Sequence, residues 1–256
     1  MCIRDRTQII QLDDRDIDAV RELAGIYEAL ARWRDLLSTQ QKLADLSTDP
    51  VEKANLYRAA ARRWMEQFSN VQNAVSAYEG LLEIEPTDVE AQEKLRELYQ
   101  KRRAWPQLYA LYEKELERAE GQARIDLLME MAKLAAERLD RGADAIALQK
   151  KILEIDPSAP GVFDALEKQA EREKDYETLA EVLEKRVETA SDEASALHVL
   201  QKLGAVYSDR LKDAAATTRT WRRVLDLSPG HARALRVLRD AYVSAGDWDG
   251  LEELYA

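Results

Sequence analysis

Apolar residues return at steps of three and four through the first regular stretch of the chain: Ile17, Val20, Leu23, Ala24, Tyr27 and Leu30. That spacing marks a helix with one buried face. A break at Ala31-Arg32 separates it from a second run, Trp33, Leu36, Leu37, Leu43 and Leu46, which ends near Ser47. Asp49-Pro50-Val51-Glu52 then has the form of a helix start: an acceptor side chain at the N-cap, proline at the first helical position and glutamate three residues after the cap. A third helix follows through Leu56, Ala60 and Trp64 to Phe68, and a fourth runs from about Val71 to Ile84. Thr87-Asp88-Val89-Glu90 predicts a capping box after a connection of about four residues, which makes the neighbouring helices antiparallel. No segment alternates with the period of a strand.

The pattern also repeats at long range. Leu82-Glu83-Ile84-Glu85-Pro86 returns as Leu153-Glu154-Ile155-Asp156-Pro157 and as Leu225-Asp226-Leu227-Ser228-Pro229, so the proline recurs after 71 and then 72 residues. A second ladder, Trp33, Trp105, Tyr176 and Trp248, has the same step, and each member is followed three residues later by Leu36, Leu108, Leu179 or Leu251. Leu56, Leu128 and Leu200 form a third. A fixed period in a helical chain is the sign of stacked repeats, each burying its apolar face against the next. The expected fold is all-α, about 14 antiparallel helices from Asp14 onward. They fall in units of about 14–86, 87–157, 158–229 and a partial 230–256 within one array over 7–256.

The string Ala74-Val75-Ser76-Ala77-Tyr78-Glu79-Gly80-Leu81-Leu82-Glu83-Ile84-Glu85-Pro86 makes the kind of repeat more specific. It resembles the second helix of a tetratricopeptide repeat in its small Ala74, its aromatic Tyr78 four residues on, and its terminal Pro86. Leu203-Gly204-Ala205-Val206-Tyr207 resembles the first-helix motif, and Gly246-Asp247-Trp248 the turn between helices. Ala60, Ala132 and Gly204 hold the small position in successive copies. The period is then two hairpins of about 36 residues, near the family's roughly 34. The resemblance implies a right-handed α-solenoid. Hairpins ending at Pro86, Pro157 and Pro229 match it well; the intervening ones replace the small alanine with leucine and are degenerate copies, and Leu81, Ile152 and Val224 stand where the family has a further alanine.

A formal charge of −11 argues against a nucleic-acid binder, since that affinity rests on clustered Lys and Arg. The short basic clusters Arg58/Arg62/Arg63, Lys101/Arg102/Arg103 and Arg219/Arg222/Arg223 read as solvated helix faces. No apolar run approaches the roughly 20 residues that cross a bilayer. His198 and His231 have no neighbour at metal-ligand spacing, and neither a nucleophile elbow nor a phosphate loop occurs. The expectation is no enzyme, no cofactor and no metal. Met1-Cys2-Ile3-Arg4-Asp5-Arg6 back-translates to what looks like a transposon end used in sequencing libraries. These six residues, with the single cysteine, are accordingly set aside as a scar, and no capping helix is evident at either end. The natural chain is expected to continue in both directions, with the bacterial cytoplasm and the cell envelope equally open as compartments.

In the family this chain resembles, the first helix of each hairpin lines a groove that receives a peptide or partner helix. Transferred onto this sequence, the groove positions are Tyr57, Ala61 and Trp64, then Met129, Lys133 and Glu137, then His198, Gln201 and Asp209. The degenerate hairpins add Arg21, Glu93, Glu97, Lys168, Arg172 and Arg236. Asparagine is absent from all of them, which excludes the groove type that clamps a C-terminal carboxylate, while Lys133, Lys168 and Arg172 form a candidate anion spot. The function expected is a protein-interaction scaffold; the alternative is the regulatory or sensory arm of a larger enzyme. Uncapped ends would add self-association.

Overall fold

The computed structural model describes residues 3–255, apart from the side chain of Asp5. Cys2 therefore lies outside the described residues, and Ile3, Arg4 and Arg6 lie in helix α1 (Ile3–Leu12). From Asp14 onward the described residues form 14 α-helices and no strand, as the apolar pattern predicts. Two compact units divide the chain, 1–119 and 120–256, each of which follows in turn. The boundary falls inside the second 72-residue period, between its degenerate hairpin and its well-matched one.

The first unit holds α1 to α7: α2 (Ile17–Ala29), α3 (Trp33–Leu46), α4 (Pro50–Glu66), α5 (Val71–Ile84), α6 (Val89–Arg102) and α7 (Trp105–Leu116). Within the unit, consecutive helices pack on one another. The N-terminal carboxylate or amide at Asp16, Asp49, Asn70 and Asp88 accepts a backbone N–H of the first turn, which satisfies a donor the helix cannot pair internally. Two sequence details change here. Asp88, not Thr87, caps α6 by accepting from the Ala91 N–H at 2.8 Å, and Glu90 turns to Arg62 rather than back to the cap. Glu52 likewise accepts from the Ser47 hydroxyl at 2.8 Å.

The second unit holds α8 (Gly121–Arg138), α9 (Gly142–Ile155), α10 (Val162–Glu173), α11 (Tyr176–Glu188), α12 (Glu193–Ala205), α13 (Ala214–Leu227), α14 (Ala232–Ala245) and α15 (Trp248–Tyr255). A π-helical stretch, Val206–Leu211, continues α12. Consecutive helices again pack on one another. The helices before the three ladder prolines, α5, α9 and α13, are 14 residues each and stop two residues short of proline, whose ring cannot extend a helix and biases the residue before it away from helical geometry.

The backbone carries the period independently of side chains. Left-handed residues stand at Ala31, Arg103, Lys174 and Gly246, and again at Ser69, Asp140 and Lys212. Both series advance by 71 or 72 residues. Each position ends or follows a helix, where a single left-handed residue lets the terminal carbonyls find donors and reverses the chain.

Candidate functional site

Helix α8 carries two stripes. Ile125, Leu128, Met131, Ala132 and Ala135 are buried against the stack, while Met129, Lys133, Ala136 and Glu137 recur at helical spacing on a face left open. Helix α10 presents Val162, Ala165, Lys168, Gln169 and Arg172 toward the same space, and α9 contributes Gln149 and Ile152. Together these helices frame a hollow of about 640 Å³, within the range of ligand pockets. Its lining is mainly methyl and methylene groups, with Lys133, Glu137, Lys168 and Arg172 exposed around the mouth.

Local chemistry fixes the frame. The Asp156 carboxylate accepts from the Ser158 hydroxyl at 2.7 Å and its N–H at 2.9 Å, which holds the carboxyl below its usual range and sets the turn after α9. Gly161, with φ of 76°, then starts α10. Buried Gly142 begins α9 where a Cβ would collide with Glu173 and Gln169 of α10. The missing side chain lets the Glu173 carboxylate lie over the positive end of α9, held by the Gln169 Nε2 at 2.9 Å. Across the mouth the Arg172 guanidinium donates to the Ala136 carbonyl at 3.1 Å and lies 3.7 Å from Asp140, which ties α10 to α8. Lys133 and Lys168 have no hydrogen-bond or ion partner among the described residues.

The structure thus brings together five of the positions read from the sequence: Met129, Lys133, Glu137, Lys168 and Arg172. Others lie elsewhere. Tyr57, Ala61 and Trp64 are interior residues of α4, not surface, which corrects their placement on an open groove. The Tyr57 ring packs where a Cβ on Gly80 would come within 2.7 Å, and its hydroxyl donates to Asp45; burial and that bond push the phenol far above its ordinary value. Trp64 meets Phe68 at a tilt of 59°, with ring centroids 5.4 Å apart. His198 is exposed and Gln201 half-buried on α12, and Asp209 pairs with Arg233 at 3.3 Å. Arg21 pairs with Glu52 at 3.2 Å, and Glu97 binds Lys101 at 2.6 Å and Lys94 at 3.3 Å, so both are spent on intrachain pairs. Glu93 and Arg236 are exposed.

One functional candidate escaped the sequence reading. Gln149 in α9 is 8 % exposed, and its Oε1 has no hydrogen-bond partner. The signal was available: it stands eight residues before Pro157, where Tyr78 and Trp221 stand before Pro86 and Pro229.

Among the described residues no group of three or more His, Cys, Asp or Glu is placed to hold a metal ion. No helix is long and apolar enough to cross a membrane. No family model matches the chain, and no curated protein matches it. Solved structures do. The C-terminal part of a TPR repeat-containing protein from Cytophaga hutchinsonii is 14 % identical over 92 % of this chain and 93 % of its own, with a TM-score of 0.40. YrrB, described as a TPR protein with an unusual peptide-binding site, is 14 % identical over 72 % of this chain and 90 % of its own, at 0.38. The pilF protein of Pseudomonas aeruginosa is 14 % identical over 88 % and 98 %, at 0.36. The chain's own hairpins, small-residue contacts and proline-terminated second helices give it the tetratricopeptide-repeat type of fold.

Proposed function

We propose that this chain is a protein-interaction scaffold that holds a segment of a partner protein in the hollow between α8, α9 and α10. The observation that carries the reading is the pairing of an apolar hollow with two unpartnered lysines at its mouth, in a chain whose net charge is −11. Of the three cations around the hollow, Arg172 is already tied to Ala136 and Asp140, so Lys133 and Lys168 are the ones there left to meet an external carboxylate. Apolar burial would supply the affinity, and charge the orientation and association rate.

A peptide array graded in net charge and apolar content tests this. Acidic segments bearing an apolar side chain are expected to be retained, with retention falling as salt is raised. The double reversal Lys133→Glu with Lys168→Glu should weaken them by about tenfold or more, which corresponds to about 1.4 kcal/mol. Retention indifferent to peptide charge and to the reversal would refute the site.

A further inference from the structure

The hollow stands where the two sister copies hold an aromatic ring. In the third copy Trp221 is fully buried, so close to Gly204 of α12 that a Cβ there would meet the ring at 2.6 Å, with Arg233 of α14 over its face at 5.3 Å. In the first copy Tyr78 is buried between α5, Arg62 of α4 and Glu90 of α6, and its phenol is raised by burial first and by Glu90 next. Each ring fills the niche between a first helix, its second helix and the first helix of the next hairpin. In the middle copy that niche lies between α8, α9 and α10, the ring position is Gln149, and the niche is the 640 Å³ hollow.

We infer that the ring is supplied in trans: the hollow receives a tyrosine side chain from an acidic segment of a partner protein. This rests on the scaffold reading above and narrows it to one anchor. Shape argues for an aromatic, because the two sister niches are filled by aromatic rings. Gln149 argues for tyrosine over phenylalanine. Its Oε1 is buried without a partner, a condition native proteins rarely leave uncompensated, and a phenol hydroxyl both donates and accepts, so it pairs with the carboxamide in either orientation. Met129, 37 % exposed on the hollow's wall, offers a thioether to the incoming ring. Lys133 and Lys168 argue for acidic residues beside the tyrosine.

The test titrates the full chain, methyl-labelled at methionine, with an acetylated, amidated peptide Gly-Asp-Glu-Tyr-Glu-Asp-Gly, and with versions carrying phenylalanine or alanine at the centre. The tyrosine peptide is expected to shift the Met129 methyl resonance and to bind at least about tenfold tighter than the alanine peptide, with phenylalanine in between. Gln149→Tyr, which rebuilds the ring in cis as in the Tyr78 copy, should abolish binding. Gln149→Leu, which keeps the hollow open, should erase the preference for tyrosine over phenylalanine. Equal binding of the tyrosine and alanine peptides, still lost on charge reversal of the lysines, would overturn the aromatic anchor and leave the scaffold reading standing. Binding of none of the peptides, with Met129 unmoved, would overturn the anchor; if the graded array also shows no dependence on Lys133 and Lys168, the scaffold reading falls with it. Concentration-dependent self-association lost on Tyr255→Ala would place a second copy in the hollow and overturn the separate partner.

Discussion

Lys174 ends α10 with φ of 59°, in the left-handed region, and its counterparts Arg103 and Gly246 do the same for α6 and α14. A side chain there costs roughly 1–2 kcal/mol, partly offset in glycine by the greater entropy of its unfolded chain. Lys174→Gly is therefore expected to stabilise by up to about 1 kcal/mol, and Gly246→Ala to destabilise by a similar amount, read as opposite shifts in urea midpoint at unchanged slope. Midpoints moving in the same direction would refute the account. This turn ladder was not legible in the sequence, because glycine marks only one of its four members; the Trp and Tyr ladder two residues further on was, because side-chain identity repeats there. A second residue-scale pair is Gly204 and Trp221. Alanine holds this position in the other copies, Ala60 where the ring position is Tyr78 and Ala132 where it is Gln149, so glycine coincides with the largest ring. Gly204→Ala should cost about 1–3 kcal/mol through forced contact with the indole. The double change with Trp221→Tyr, which recreates the first copy's pair, should recover part of that. Additive losses in a double-mutant cycle would sink the idea.

At the scale of elements, the site was half legible. Register along α8 and α10 was enough to nominate Met129, Lys133, Glu137, Lys168 and Arg172, since helical spacing puts them on one face. It failed for Tyr57, Ala61 and Trp64, because α4 lies against both α3 and α5 and Gly80 admits the Tyr57 ring, a contact no spacing within α4 reveals. Register within the first helices says nothing of Gln149, because the hollow's floor comes from a second helix. A buried carboxamide without a partner has a stability consequence apart from binding: Gln149→Leu is expected to raise stability by about 1 kcal/mol in urea, and a loss would show that the amide is paired after all. The junction of α4 with α6 makes a pH prediction. Burial raises the Asp88 carboxyl, but the Ala91 N–H and the Arg58 guanidinium outweigh it and hold the group below its usual range. A depressed carboxyl contributes stability fully above its unfolded value, about 3.9, and loses it as pH falls through the folded one. Asp88→Asn keeps an N-capping acceptor and removes the charge. It should cost roughly 1 kcal/mol near pH 7, allowing for solvent screening, with the gap to the parent closing as pH falls through the depressed folded value. A gap independent of pH would mean that cap geometry, not charge, carries the effect.

For the whole molecule the governing fact is that within each unit the helices pack on their sequence neighbours, so stability is a sum of local terms rather than a property of one core. Ion pairs reinforce this locality. Lys202 of α12 reaches Glu167 and Glu171 of α10, and Arg186 of α11 reaches Asp164 at 2.7 Å and Glu167 at 2.6 Å, all within adjacent hairpins. Such local pairs, even where Glu167 is partly buried, cannot make distant helices melt together. A lesion in one hairpin should therefore loosen that hairpin and its neighbours. In native-state hydrogen exchange, Gly204→Ala is expected to accelerate amides of α12 and α13 most, those of α11 and α14 less, and to leave α2 to α5 at parental rates. The same logic explains how the chain can tolerate an unfilled niche at Gln149: the loss is confined to α8, α9 and α10, while the flanking copies keep their buried Tyr78 and Trp221. Uniform acceleration of every helix would show a single cooperative unit, and the middle niche would then weaken the entire fold instead of one hairpin.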